Sequence, residues 1–123
     1  MTQEEKQLLL KDLCGRLPYG VKFQGEDSNV YTLDAANYFA LQVEDMVFKP
    51  YLRPMSSMTD KERKEFQAFH CVDALHPYFY QQMCNLQNLE NMFNWLNKKM
   101  FDYRGLIPMG LAIEAPEDMY KYV

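Results

Sequence analysis

His70, Cys71, His76 and Cys84 are the only cluster of histidines and cysteines in the sequence. Zinc is the ion such a set would suit, and zinc wants four ligands in a tetrahedral array. His70 and Cys71 are chain neighbours, so on a helix they point about 100° apart. Neither a CxxC nor an HxxxH clamp is present, and the spacing predicts no metal site. Cys71 beside His70 also invites nucleophilic catalysis, but the same divergence separates nucleophile from base, and no glycine-rich turn stands by to hold an oxyanion. Ser56 and Ser57 precede Thr59 and Asp60, where hydroxyls serve to cap a helix. The acidic pairs Glu26-Asp27, Glu44-Asp45 and Glu117-Asp118 are chain neighbours, each near a turn or in the tail, where solvation suffices. The five glycines are isolated, so no dinucleotide or phosphate loop exists. No catalytic residue, cofactor or metal is expected, and the pattern does not point to an enzyme.

Arg53 and Arg104 are the better candidates for recognition, because each follows closely on an aromatic residue, in "YLRP" and "DYRG", at the junction of two elements. A guanidinium there can take a carboxylate or phosphate. It can equally tie loops together through backbone carbonyls or an internal acid such as Asp102, and element-ending arginines commonly do so. Trp95 sits about 120° from the centre of its helix's apolar stripe. Either it packs beneath the N-terminal helix or it is an exposed anchor of the kind that interfaces favour. Arg53, Trp95, Tyr103 and Arg104 together form the candidate binding surface.

The elements that must position these residues follow from pattern. Thr2 with Glu5 is a capping box, and Leu9, Leu10, Leu13, Cys14 and Leu17 follow at helical spacing, with Glu4, Glu5, Lys11, Asp12 and Arg16 left for water. Gly15 and Pro18 supply the stop. From Tyr19 to about Leu52 the period changes to two: "GVKFQ", "VYTL", "YFALQV" and "MVFKPYL" read as strands separated by the turns "GEDSN" and "DAAN" and by the acidic corner Glu44-Asp45. Pro50 and Pro54 cannot donate to a ladder, so "KPYLRP" reads as an edge or exit segment. Thr59 with Glu62 repeats the capping box and starts a helix of about three turns, anchored by Phe66 and Phe69. Pro77 opens a further candidate helix near Tyr78 to Met83. Leu86, Leu89, Phe93, Leu96 and Met100, widened by Met92, then mark a two-sided helix packing on the sheet, ended near Gly105. "LIPMGLAIEAP" reads as a short strand or extended tail. The expectation is a single α+β domain over 1–123: an N-terminal helix, a small curved antiparallel sheet of three or four strands, two or three helices and a short extended C-terminal segment.

At 123 residues and 48% hydrophobic content the chain can bury a core without metals or disulfides. A net charge of −4 opposes a phosphate backbone. Three scattered cysteines argue against a disulfide framework and for a reducing cytoplasm. The first residues read as neither signal nor transit peptide, and no apolar run approaches the roughly 20 residues of a membrane helix.

Two stretches, "KPYLRPMSSMT" and "WLNKKMFDYRGLIPMGLAIEAPEDMY", resemble signature segments of a family of small uncharacterised proteins of gut-bacterial genomes and prophage-like elements, most specifically at "YLRPMSSMT" and "FDYRGLI". The resemblance covers about half the chain. It implies no activity, cofactor or site residue; in those relatives, too, the first stretch follows a small set of strands. The functional expectation is a non-enzymatic accessory protein of a mobile element, acting through contacts with a partner protein or with itself. The alternative is a nucleic-acid-binding module that stacks bases on Tyr19, Tyr31, Tyr38 and Tyr51 of the sheet, which the acidic charge opposes.

Overall fold

The computed structural model describes residues 1–43, 48–69 and 86–120. The expected helix near Tyr78–Met83 lies outside the described residues, as do His70, Cys71, His76, Cys84 and the Glu44-Asp45 corner. Among the described residues the chain folds as a mixed α+β structure: helix α1 (Gln3–Arg16), strands β1 (Lys22–Gln24) and β2 (Val30–Thr32), helix α2 (Ala35–Val43), strand β3 (Lys49–Leu52), helices α3 (Asp60–Ala68) and α4 (Leu86–Lys98), and strand β4 (Ile113–Glu114).

Both capping boxes form. Thr2 and Glu5 exchange side-chain-to-backbone bonds at the start of α1, and Thr59 and Glu62 do so at the start of α3. Gly15 does not stop α1; it lies inside the helix, close to the Asn97 side chain, whose Nδ2 a Cβ would meet at 3.0 Å. The stop is Gly20, left-handed at φ 73°, after one turn of 3-10 helix at Leu17–Tyr19.

The sheet has the order β2-β1-β3-β4 and is mixed rather than wholly antiparallel. β1 pairs antiparallel with β2 and with β3, while β4 joins β3 in parallel, Tyr51 opposite Ile113. Two strand expectations are corrected. "YFALQV" is helical, within α2, because Asp34 accepts the Asn37 N–H at 2.7 Å and its carbonyl takes the Tyr38 N–H, which makes the "DAAN" turn a helix start. "KPYL" is not an edge but the interior strand β3, with Pro50 opposite Phe23. The Leu52 carbonyl accepts from Ala115, so by strand alternation the Pro50 nitrogen also faces β4, one residue before that pairing begins at Tyr51. The missing N–H therefore breaks no ladder bond.

The main core joins Leu9 and Leu13 of α1 to Val21, Phe23, Leu33, Phe48, Tyr51 and Leu52 of the sheet region and to Leu106, Leu111 and Tyr120 from the C-terminal third. A second cluster is built on Met58, Leu96 and Phe101, with Phe66, Met92 and Trp95 against it. The inner face of α4 is thus Met92, Trp95 and Leu96, turned toward α3. Leu89 and Phe93, expected on the core side, stand 38% and 43% exposed. The stripe on α1 is also turned: Cys14 is exposed, whereas Asp12 and Arg16, expected in water, are fully buried.

Candidate functional site

A groove of about 1170 Å³ runs between the loop that leaves β3 and the segment that follows β4. One wall carries Arg53, Pro54, Ser57, Thr59 and Glu62; the other carries Glu114 to Asp118 and Tyr120, with Lys99 at one side. The stretches "KPYLRPMSSMT" and "WLNKKMFDYRGLIPMGLAIEAPEDMY", far apart in the chain, therefore meet across one concavity.

The first wall is rigid for reasons legible in its bonds. Arg53 Nη1 donates to Glu62 Oε2 at 2.8 Å and Nη2 to Glu62 Oε1 at 2.7 Å, a two-point clamp, and Nη2 reaches the Ser57 carbonyl at 3.3 Å. The guanidinium also lies over the Phe101 ring, 4.3 Å from its centroid. Glu62 accepts the Thr59 N–H at 3.0 Å, so one carboxylate closes the capping box and holds the arginine. The Arg53 bonds first, then the Thr59 N–H, outweigh burial and lower the Glu62 pKa to about 2. Backbone bonds on either side of Arg53, its N–H to the Met100 carbonyl and its carbonyl to the Asp102 N–H, stitch the same residue to the loop after α4.

The second wall is anchored by Tyr120. Its hydroxyl donates to the Tyr51 carbonyl at 2.7 Å and accepts the Lys22 N–H at 2.9 Å. Lys22 and Tyr51 are the next pair in the β1/β3 register, so the phenol fills the place of a direct ladder bond. Burial pushes its pKa up to about 12, which keeps the hydroxyl protonated. Glu114, Glu117 and Asp118 project from this wall exposed to solvent.

The four candidate binding residues do not share one exposed face. Arg53 and Trp95 both rest on Phe101, Trp95 with its ring centroid 5.7 Å away. Trp95 is neither under α1 nor free: it stacks on Phe66 and donates Nε1 to Glu65 Oε2 at 3.1 Å. Tyr103 and Arg104 belong instead to a cluster against α1. Asp12 receives Arg16 at 2.8 Å and Arg104 at 3.2 Å, Arg16 also donates to the Phe101 carbonyl at 2.6 Å, and both guanidinium groups lie by the Tyr103 ring. Asp102 accepts the Leu106 and Ile107 N–H groups rather than an arginine.

The tyrosines of the stacking alternative are dispersed. Tyr51 is buried, Tyr38 sits on helix α2 with its hydroxyl bonded to the Leu10 carbonyl, and Tyr31 is exposed with its hydroxyl held by Asp27. Among the described residues no His, Cys, Asp or Glu cluster could hold a metal ion, and no helix is long and apolar enough to cross a membrane.

Sequence reasoning missed Glu114, Glu117, Asp118, Lys99 and Tyr120 as parts of one site, because nothing local shows that the C-terminal segment returns to β3. The Asp12/Arg16 pair did carry a signal, the i,i+4 spacing on the flank of the Leu9/Leu13 stripe. No family model, curated protein or solved structure matches the chain.

Proposed function

We propose that the chain is a non-enzymatic accessory protein that works by holding another protein, or a second copy of itself, in the groove between the β3 exit and the C-terminal segment. The observation that carries this reading is the convergence of "KPYLRPMSSMT" and "WLNKKMFDYRGLIPMGLAIEAPEDMY" on a single concavity of about 1170 Å³ in which Arg53 and Glu62 are already paired. Arg53 has its guanidinium occupied by Glu62, and the Thr59 hydroxyl accepts the Glu62 N–H, so the groove offers shape and charge rather than an activated nucleophile. A cytoplasmic setting rests on the scattered cysteines, and a mobile-element origin on the resemblance of the same two stretches.

The test is a photo-crosslinking amino acid placed at Lys99 in the groove and, in separate proteins, at Lys11 and Glu90, which lie outside it and are exposed. In the native cell the expected result is one defined protein adduct from position 99 and none of that mass from the other two. Equal labelling from all three, no adduct from 99, or an adduct removed by nuclease would contradict the reading.

A further inference from the structure

The charges of the groove are unequal. Arg53 and Lys99 face Glu62, Glu114, Glu117 and Asp118. Arg53 and Glu62 neutralise each other at 2.7 Å, which among the described residues leaves one lysine against three carboxylates. Those three are exposed, and among the described residues none has an ion-pair partner. Pro54, Ala115 and Pro116 give the groove apolar surface between the charges. The polypeptide is short of cations overall, with 13 Lys and Arg against 17 Asp and Glu, so a second copy of this chain is a poor electrostatic match.

Resting on the reading of the groove as a protein-contact site, we infer that its occupant is a lysine- or arginine-bearing segment of a different protein, laid so that its cations meet Glu114, Glu117 and Asp118. A strip of backbone and aliphatic stem fits the apolar surface, and the charged heads reach the carboxylates at the wall. Arg53 takes no part in this contact. Its role is to hold the opposite wall, so the arginine that stands out in the sequence is the support of the groove rather than its specificity.

The probe is a short fluorescent peptide alternating arginine and serine, titrated into the full chain at low ionic strength and at about 0.15 M salt. Binding that weakens with salt is expected, together with a loss of about five-fold in Glu117→Gln/Asp118→Asn. The control, Glu4→Gln/Glu90→Gln, removes the same charge from exposed positions elsewhere and is expected to leave binding unchanged. Equal weakening in both variants would reduce the effect to the field of the whole molecule and overturn the inference. So would equal binding of the peptide with glutamate for arginine, or its displacement by spermine at equal charge. A Lys99 cross-link of undiminished yield in Glu117→Gln/Asp118→Asn would overturn the basic occupant and leave the protein-contact reading standing, whereas absence of the cross-link in the unaltered chain would remove both.

Discussion

Glu62 is the residue on which the first wall of the groove turns, since a single carboxylate receives the Thr59 N–H and both ends of the Arg53 guanidinium. Its pKa falls from an ordinary 4.5 to about 2, so the folded state holds the ionised form more firmly than the unfolded chain does. The stability it supplies is therefore complete above pH 4.5 and is lost as pH falls toward 2. That window corresponds to about 3 kcal/mol. Acid titration of Glu62→Gln should show a flatter fall in stability across this range than the unaltered chain, and an identical slope would mean that the carboxylate does not feel Arg53. Thr59→Ala removes the oxygen that caps α3 and should cost about 1 kcal/mol in denaturant unfolding. Ser57 is exposed and contributes its carbonyl rather than its hydroxyl, so Ser57→Ala should stay within about 0.5 kcal/mol of the parent. These caps were legible in the sequence because a capping box is local, four residues and two reciprocal bonds. The partnership of Arg53 with Glu62 was not, since nine residues and a turn of 3-10 helix separate them.

Among the elements, β1, β2, β3, α1, α3 and α4 form where the patterns place them, but the buried faces of α1 and α4 and the interior position of β3 differ from expectation. "YFALQV" alternates as a strand does, but Asp34 and two alanines favour a helix start, and a short apolar run cannot be assigned by period alone. The stripe of Leu86, Leu89, Phe93, Leu96 and Met100, widened by Met92, holds at Met92, Leu96 and Met100 but not at Leu89 and Phe93, because the face that packs is set by where α3 and Phe101 stand, which no local pattern shows. The consequence is measurable. Leu96, 2% exposed, should cost about 2–5 kcal/mol on change to alanine. Leu89, more than a third exposed, should cost no more than about 0.5 kcal/mol. Equal denaturation midpoints for the two variants would mean that the helix is rotated from the orientation described. The strand "KPYL" shows the opposite limit: proline chemistry argued for an edge, yet the ladder on the relevant side begins one residue later, so an interior strand accepts Pro50.

At the scale of the whole molecule, the C-terminal third closes the fold through polar groups rather than through apolar surface alone. Arg16 is fully buried, fixed by Asp12 and by the Phe101 carbonyl, and Asp12 also holds Arg104, so one carboxylate ties α1 to the loop after α4. Asp12→Asn would leave a buried guanidinium without its counter-charge and should cost about 3–5 kcal/mol in chemical denaturation; a loss under about 1 kcal/mol would show that the pair is replaceable. Tyr120 performs the matching closure on the other side, between β1 and β3. Long-range closures of this kind brought the two walls of the groove together, and that is why its residues were visible in the sequence singly and its shape was not. Arg53, clamped by Glu62, supports the groove and is not held in reserve for a ligand. The direct test is the thermal melt of Arg53→Ala beside the parent chain. A clear destabilisation is expected, about 3 kcal/mol, because the change strips a largely buried Glu62 of its partner. A melting temperature unchanged or raised would contradict it, since that is the behaviour of an arginine kept for binding.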